Sequence, residues 1–211
     1  MLKGNDLDYK YIYVAFLVTN TNMGKLIRLF TRNEYSHVTL AFNKELSRMY
    51  SFARYHVNSP ISGGFVVELP DRYLLNNEDV MVKLCKLPVT EEEFKRIHQE
   101  IVYFHTNREE MLYNTPNAVL SLLRRRLHVK NAYTCLEFVT HLLRIPNVLA
   151  IRELESRLDQ YVVYSGSFRD IVKWQQTFSD DNDYLIRRHV VMVVLDTVFH
   201  FKKIVVRLIR A

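Results

Sequence analysis

The sequence predicts an α+β protein built around an antiparallel sheet, and three observations support this class. Short β-branched and aromatic segments follow one another as far as Pro88, and apolar residues at helical spacing dominate from Thr90 onward. The connection Asn43–Arg48 between two of the segments is short, which favours antiparallel pairing. The length of 211 residues suits one large domain or one domain with an added subdomain, and 48% hydrophobic with 25% charged residues is ordinary globular composition.

Five strands are predicted in the first half of the chain. Tyr11–Thr19 is continuously β-branched or aromatic, which is typical of a buried strand. In Ser36–Phe42, His37 shares one face with Thr39 and Ala41 because side chains alternate along a strand. The other predicted strands are 49–54, 65–69 and 79–87; a short helix is predicted at 23–30 and a loop at 55–64.

Helix starts are marked by capping residues. Thr90 with Glu93, and Thr134 with Glu137, fit the capping box, and the second predicts a helix over Cys135–Arg144. Thr115 followed by Pro116 resembles an N-cap with proline at the first helical position, which predicts a helix continuing to Leu127. Residues 151–158 are predicted as a further helical turn or two, and residues 161–165 as a late strand.

Cys135 lies in the first turn of its predicted helix. Unpaired N–H groups and the positive end of the helix dipole favour an anion there, and the thiolate is the reactive form of cysteine. The competing interpretation is a small buried residue on an amphipathic helix, which is the commoner role of a free cysteine.

His37 is the other candidate. A lone histidine on a strand is more often a satisfied core residue than a catalyst. Together with Cys135, however, it supplies the base for a thiol nucleophile, which is the arrangement that covalent catalysis requires.

Four segments together resemble one family: Thr31 with Tyr35–Val38, then 49–54, 63–68 and 133–138. They are similar to the circularly permuted NlpC-type papain-like cysteine peptidases (the YiiX/YebB-like group), distantly related to the lecithin–retinol acyltransferase-like proteins. In that group the histidine precedes the cysteine, as His37 precedes Cys135 here. The resemblance spans roughly Tyr11 to Ile145. It implies a permuted papain-like fold, with an antiparallel sheet packed on the helix that carries the cysteine.

The resemblance also implies roles for particular residues. Cys135 would attack a carbonyl carbon, His37 would take and return the proton, and backbone N–H groups at the helix start would meet the oxyanion. A third polar residue usually orients the histidine. Strand register predicts Ser51 for that role, as a cross-strand neighbour of His37. A water or Glu68 is the alternative, although Glu68 is more simply interpreted as an exposed carboxylate at a strand end.

Tyr35 and Tyr50 are candidate substrate-binding residues, and simple packing is their alternative interpretation. Cys85 lies mid-strand in KLCKL without a capping pattern and is predicted to be structural. Two cysteines give neither a disulfide framework nor metal-ligand spacing, and we expect no cofactor. No signal peptide or spanning segment is recognised, so an intracellular, cytoplasmic location is expected.

The formal net charge of +6 and the pI of about 9.3 favour anionic partners, but without a nucleic-acid-binding motif we expect no nucleic acid. Residues 1–150 are predicted as the catalytic core and 151–211 as an extension with a late strand and a basic amphipathic helix. Within 184–210, apolar residues recur at 3-4 spacing: Val191, Val194, Val198, Phe201, Val205 and Leu208. This seam predicts packing on the core, self-association, or peripheral contact with an anionic membrane.

The sequence therefore predicts a cysteine hydrolase that cleaves an amide or ester bond through an acyl-enzyme on Cys135, with His37 as general base. A lipid-handling acyltransferase and an inactive scaffold that retains the fold are the two alternatives. The acyl, peptide or lipid substrate is not identified by the sequence.

Overall fold

The computed structural model describes residues 9–19, 33–59, 61–74, 78–120, 125–172 and 183–209. Within these ranges the protein is α+β, as predicted. The helix predicted at 23–30 lies outside the described residues. None of the described helices combines the length and the apolar character that crossing a membrane requires.

A six-stranded antiparallel sheet forms the centre of the described structure, in the order β4-β3-β2-β1-β5-β8. Its strands are β1 Lys10–Leu17, β2 His37–Ala41, β3 Met49–Arg54, β4 Gly63–Glu68, β5 Met81–Val89 and β8 Val162–Ser167. A small parallel pair, β6 Leu112–Tyr113 and β7 Ala132–Tyr133, lies outside this sheet. The late strand therefore joins the same sheet as the first five, at its edge beside β5.

The helices, in chain order, are α1 Glu91–Thr106, α2 Thr115–Leu120, α3 Cys135–Leu142, α4 Ile151–Leu158, α5 Phe168–Ile171 and α6 Val190–Ile209. Both predicted capping boxes are present, at Thr90 and at Thr134. Each threonine hydroxyl accepts from a backbone N–H that the helix itself leaves unpaired.

Two strand boundaries differ from the prediction. Gly63 and Gly64 belong to β4 and not to a loop, since they pair with Arg54 and Ala53 of β3. A Cβ at Gly63 would lie 2.3 Å from the Ala53 carbonyl oxygen, so the close approach of the two strands requires glycine there. Pro88 continues β5 instead of ending it. The register explains this, because Pro88 pairs only with Tyr11 of β1, beyond the last pairing of β5 with β8 at Cys85.

Two helix ends also differ. Residues 125–127 are not helical, so the predicted extension to Leu127 is wrong there, and Asn114, whose side chain accepts from the Asn117 N–H, caps α2 in place of Thr115. The cysteine helix ends at Leu142, and Arg144 has a φ of 53°, in the left-handed region.

The two faces of the sheet contribute to two separate apolar cores. The first core contains Val38, Leu40, Phe52 and Cys135, together with the inward residues of α1 and α3. The second contains Ala41, Met49, Tyr73 and Phe168. The cysteine helix is thus buried against one face of the sheet while the segment after β4 covers the other, and both segments supply residues to the site described next.

Candidate active site

Cys135 is held at the start of α3 by a rigid local structure. The Thr134 hydroxyl accepts from the Glu137 N–H at 3.2 Å, and the Glu137 carboxylate accepts from the Thr134 N–H at 2.8 Å. Cys135 itself is the first helical residue, at the electropositive end of the helix, and the residue is buried, at 7% exposed.

The strand pair β6–β7 fixes the entry to this helix. Tyr113 pairs with Tyr133, the residue just before the cap, and the Asn114 N–H donates to the Tyr133 carbonyl at 2.9 Å. The Asn117 side chain donates to Glu137 at 2.6 Å and so connects α2 to the same capping box. The cysteine is therefore positioned by contacts on both sides of its backbone.

His37 pairs with the carboxylate of Glu68. The distance from His37 Nε2 to Glu68 Oε2 is 3.0 Å, and both residues are buried, at 8% and 1% exposed. His37 begins β2 and Glu68 ends β4, so β3 separates the two strands in the sheet. Glu68 is therefore not the exposed carboxylate at a strand end that the sequence favoured.

Three groups surround the Glu68 carboxylate. Besides His37, the Tyr73 hydroxyl donates to Oε2 at 2.8 Å, and Arg72 Nε lies 3.2 Å from Oε1. Tyr184 stacks on Arg72, with the guanidinium carbon 3.7 Å from the ring centroid, so the chain ahead of α6 covers this network. Because a buried carboxylate needs compensating partners, this arrangement keeps Glu68 ionised and oriented.

The electrostatics of the pair agree in direction. Burial lowers the pKa of His37, but the negative charges of Glu68 and Cys135, with the hydrogen bond to Glu68, raise it to about 10. For Glu68, burial raises the pKa, but His37 and Arg72, with hydrogen bonds from His37 and Tyr73, lower it to about 2. At neutral pH the pair is therefore an imidazolium and a carboxylate.

His37 hydrogen-bonds to Glu68 and lies close enough to Cys135 for the charge on the sulfur to raise the pKa of the imidazole. Cys135 belongs to the first core, whereas Tyr73, which shares Glu68, belongs to the second, so His37 connects groups from both. A carboxylate, an imidazole and a thiol at a helix start are the kinds of group that covalent catalysis uses as orienting group, base and nucleophile.

Ser51 does not occupy the predicted position beside His37. Leu40 pairs with Tyr50 and Ala41 with Met49. This register places Ser51 opposite Thr39, which is two residues along β2 from His37. Its hydroxyl donates instead to the Val38 carbonyl at 3.0 Å. Ser51 therefore ties β3 to β2, and Glu68 provides the orienting contact.

The two candidate substrate-binding tyrosines pack among other rings. Tyr35 is 1% exposed, and its ring centroid lies 6.1 Å from that of Phe16. Tyr50 is half-buried between Phe42 and Phe65, at centroid distances of 5.8 and 6.5 Å. These contacts fit the packing interpretation better than substrate binding.

Sequence reasoning missed four residues around the site: Arg72, Tyr73, Tyr113 and Tyr184. Arg72 lies four residues after Glu68, and Tyr73 lies five residues after it. This closeness is visible in the sequence once Glu68 is identified as the partner of His37. Burial raises the pKa of Tyr113, and the charge on Cys135 raises it further, so this tyrosine lies within electrostatic reach of the sulfur. No sequence pattern indicates that Tyr113 or Tyr184 approaches the site.

Cys85 provides the contrast to Cys135. It is fully buried in β5, and burial raises the pKa of its thiol to about 12. Cys85 is therefore a structural residue with little thiolate at neutral pH.

Among the described residues, no group of three or more His, Cys, Asp or Glu side chains is arranged to hold a metal ion. Comparison with family models, with curated proteins and with solved structures finds no match for this chain.

Proposed function

We propose that the protein is a cysteine hydrolase that cleaves an amide or ester bond, with Cys135 as nucleophile, His37 as general base and acid, and Glu68 as the orienting carboxylate. The observation that carries the proposal is the position of His37, which hydrogen-bonds to Glu68 and lies close enough to Cys135 for the charge on the sulfur to raise the pKa of the imidazole. Glu68 orients the imidazole, and an imidazolium beside a sulfur stabilises the thiolate form of the cysteine.

The reaction follows from these groups. The sulfur of Cys135, whose proton His37 accepts, attacks the carbonyl carbon of the substrate to give a tetrahedral oxyanion. The C–N or C–O bond then breaks as His37 donates its proton to the leaving amine or alcohol, which leaves a thioester on Cys135. Neutral His37 next takes a proton from water, the resulting hydroxide adds to the thioester carbonyl, and the acid and the free thiolate are released.

The oxyanion requires hydrogen-bond donors near the sulfur. The backbone N–H groups of the first turn of α3 are suitable, because the helix leaves them unpaired except where Thr134 caps that of Glu137. In this mechanism the helix start both holds the sulfur and receives the negative charge that develops on the substrate.

We propose, further, that the fold is the permuted papain-like fold indicated by the sequence. The support is the histidine strand ahead of the cysteine helix in the chain, the antiparallel sheet against which that helix packs, and the carboxylate partner of the histidine. Serine orients an imidazole more weakly than a carboxylate does, and this is what suggested the inactive scaffold as an alternative. It loses that basis, since His37 pairs with Glu68 and not with Ser51.

Acyl-enzyme formation is the test. Each protein is mixed with an activated acyl ester, p-nitrophenyl acetate, and its intact mass is measured. In the Cys85→Ala background we expect one acetyl group, located on Cys135 by peptide mapping. Cys135→Ala and His37→Ala in that background should not be acylated at this site, whereas Cys85→Ala alone should behave like wild type.

Two results would count against the proposal. Equal acylation of Cys85→Ala and of Cys85→Ala with Cys135→Ala would mean that another residue reacts. Acylation of Cys135 that is unaffected by His37→Ala would mean that the thiol reacts without the histidine. Transfer of the acetyl group to an added amine in preference to water would favour the acyltransferase alternative.

A further inference from the structure

The inference concerns α6, the last described helix, which attaches to the rest of the protein along one narrow face. Ile204 packs with Leu112, Val129 and Ala132. On the same face His200 Nε2 hydrogen-bonds to the Tyr113 carbonyl at 2.9 Å, and Arg207 donates to the Glu110 carbonyl at 2.8 Å. His200 and Ile204 are the two fully buried residues of the helix.

Of the seam predicted from sequence, Leu208 takes part in this contact, but most of the other members do not. Val191, Val194, Val198 and Val205 are all exposed, as are most of the large apolar side chains of α6. At 100° per residue most of them lie on the side of the helix away from His200 and Ile204, together with Leu195, Val206 and Ile209, and Val194 lies at the flank of that side. A helix of 20 residues, about 30 Å long, therefore presents an apolar face to solvent, which marks an interaction surface.

The charges around this outward apolar face are mainly basic. From Arg187 to Ile209 the chain has five basic side chains and one acidic side chain, Asp196. Arg207 is held on the attached face, which leaves Arg187, Arg188, Lys202 and Lys203 for the outward side. Asp196 is paired with Arg188 at 3.7 Å, so its charge is largely balanced. Lys202 is exposed within the apolar face itself, and the Lys203 ammonium lies 4.7 Å from the centroid of Phe199.

The position of Lys202 distinguishes between two partners that could cover the outward apolar face, a second copy of the chain and a lipid bilayer. Residues 191, 195, 198, 202, 205 and 209 follow heptad spacing, so a second copy packed on this face would bury the Lys202 ammonium at the centre of the seam, at a cost in stability. Two copies would also bring the same excess of positive charge together. At a bilayer surface, by contrast, a lysine can extend to the head groups while its apolar neighbours remain in the acyl region.

We propose that α6 docks the protein on the surface of an anionic phospholipid bilayer, lying in the interface with its outward apolar face in contact with the acyl chains. The basic side chains supply the attraction to the acidic head groups, and the valine-rich face supplies the apolar burial. The attached face of α6 connects this helix to the candidate site, because it contacts β6 through Leu112 and Tyr113, and β6 pairs with β7, which leads directly to Cys135. The proposal does not depend on catalysis.

Vesicle co-sedimentation tests it. The full chain is mixed with vesicles of phosphatidylcholine plus phosphatidylserine, and separately with phosphatidylcholine alone. We expect binding to the mixed vesicles, weakened by salt and much weaker on phosphatidylcholine alone. Val194→Glu with Val198→Glu should reduce the affinity by about tenfold or more for each position, and Lys202→Glu by about fivefold.

The matched control is Val102→Glu on α1. Val102 is 50% exposed and Val198 is 60% exposed, so the same substitution is made at equally open helical sites on different surfaces. The control should bind the mixed vesicles like wild type. Circular dichroism and urea unfolding check that all variants are folded, and Lys202→Glu keeps the apolar face intact.

Three outcomes would overturn the proposal. The first is a wild-type protein that does not sediment with the mixed vesicles. The second is an equal effect of the α6 substitutions and of Val102→Glu. The third is a wild-type dimer in light scattering that Val194→Glu with Val198→Glu converts to a monomer without vesicle binding, since the occupant would then be a second copy.

Discussion

Glu68→Gln removes the negative charge beside His37 while preserving the size of the side chain. The variant should lower the pKa of His37, because Glu68 is the partner whose charge raises it most and burial alone lowers it. An opposite charge at hydrogen-bond distance typically contributes about 1–3 pKa units, which is about tenfold to thousandfold in proton affinity. The effect should lie toward the upper end, because Arg72 would remain beside a neutral amide and oppose a positive charge on His37.

The measurement is an NMR titration of the His37 ring protons, assigned with a His37→Gln variant. Wild type should titrate near pH 10, and Glu68→Gln at a clearly lower pH. Glu155→Gln is the matched control, because Glu155 is a carboxylate that pairs with Lys83 on β5 and not with the histidine. The reasoning is refuted if Glu68→Gln and Glu155→Gln leave the titration of His37 equally unchanged.

Three further predictions concern the capping box, the strand contact and pH. Thr134→Ala and Thr90→Ala each remove an N-cap acceptor and should each lower the free energy of unfolding in urea by about 1 kcal/mol. Only Thr134→Ala should slow alkylation of Cys135. Equal alkylation rates in the two variants would contradict the positioning role of the cap. Gly63→Ala should lower the free energy of unfolding by at least about 3 kcal/mol, because its Cβ would lie 2.3 Å from a backbone oxygen. Gly166→Ala should lower it less, because its Cβ would meet the movable end of the Tyr164 side chain. The reverse order in urea unfolding would show that the close approach at Gly63 is wrong. The His37–Glu68 contribution to stability should be complete between about pH 4.5 and 6.5. Because folding raises the pKa of His37, the contribution is lost as the pH rises through about 10. Because folding lowers the pKa of Glu68, it is also lost as the pH falls through about 2. His37→Gln should flatten the alkaline side of the profile of unfolding free energy against pH, and an unchanged slope there would contradict the pairing.

Local patterns predicted local structure well. The capping boxes at Thr90 and Thr134 place both helix starts, since the threonine and the glutamate act within one turn of chain. The strand 49–54 is observed with the predicted bounds. These features depend on neighbours in sequence, which is the information that spacing contains.

Register is where the prediction of the site fails. The predicted pairing of His37 with Ser51 is wrong because the connection 43–48 sets the register. There Leu46 has a φ of 50°, and Asn43 bonds twice to Ser47. A shift of the register by two residues keeps each side chain on its face of the sheet but changes the residue that lies opposite it. The contact of His37 with Glu68, 31 residues away and two strands across, follows from no local pattern.

The C-terminal helix shows a similar limit. Its 3-4 seam of apolar residues indicated which side chains are apolar, but the face that packs contains His200 and Ile204. Hydrogen bonds from His200 and Arg207 to the carbonyls of β6 and the neighbouring segment select that face. Periodicity contains no information about such partners, which come from residues about 70 or more positions earlier in the chain.

The most direct test of the central claim is the rate at which iodoacetamide alkylates Cys135 at pH 6, compared between Cys85→Ala and Cys85→Ala with His37→Ala. If an imidazolium with a pKa near 10 stands beside the sulfur, loss of His37 should slow alkylation at this pH by at least about tenfold. Equal rates in the two proteins would contradict the account, because the thiol would then react without help from the histidine.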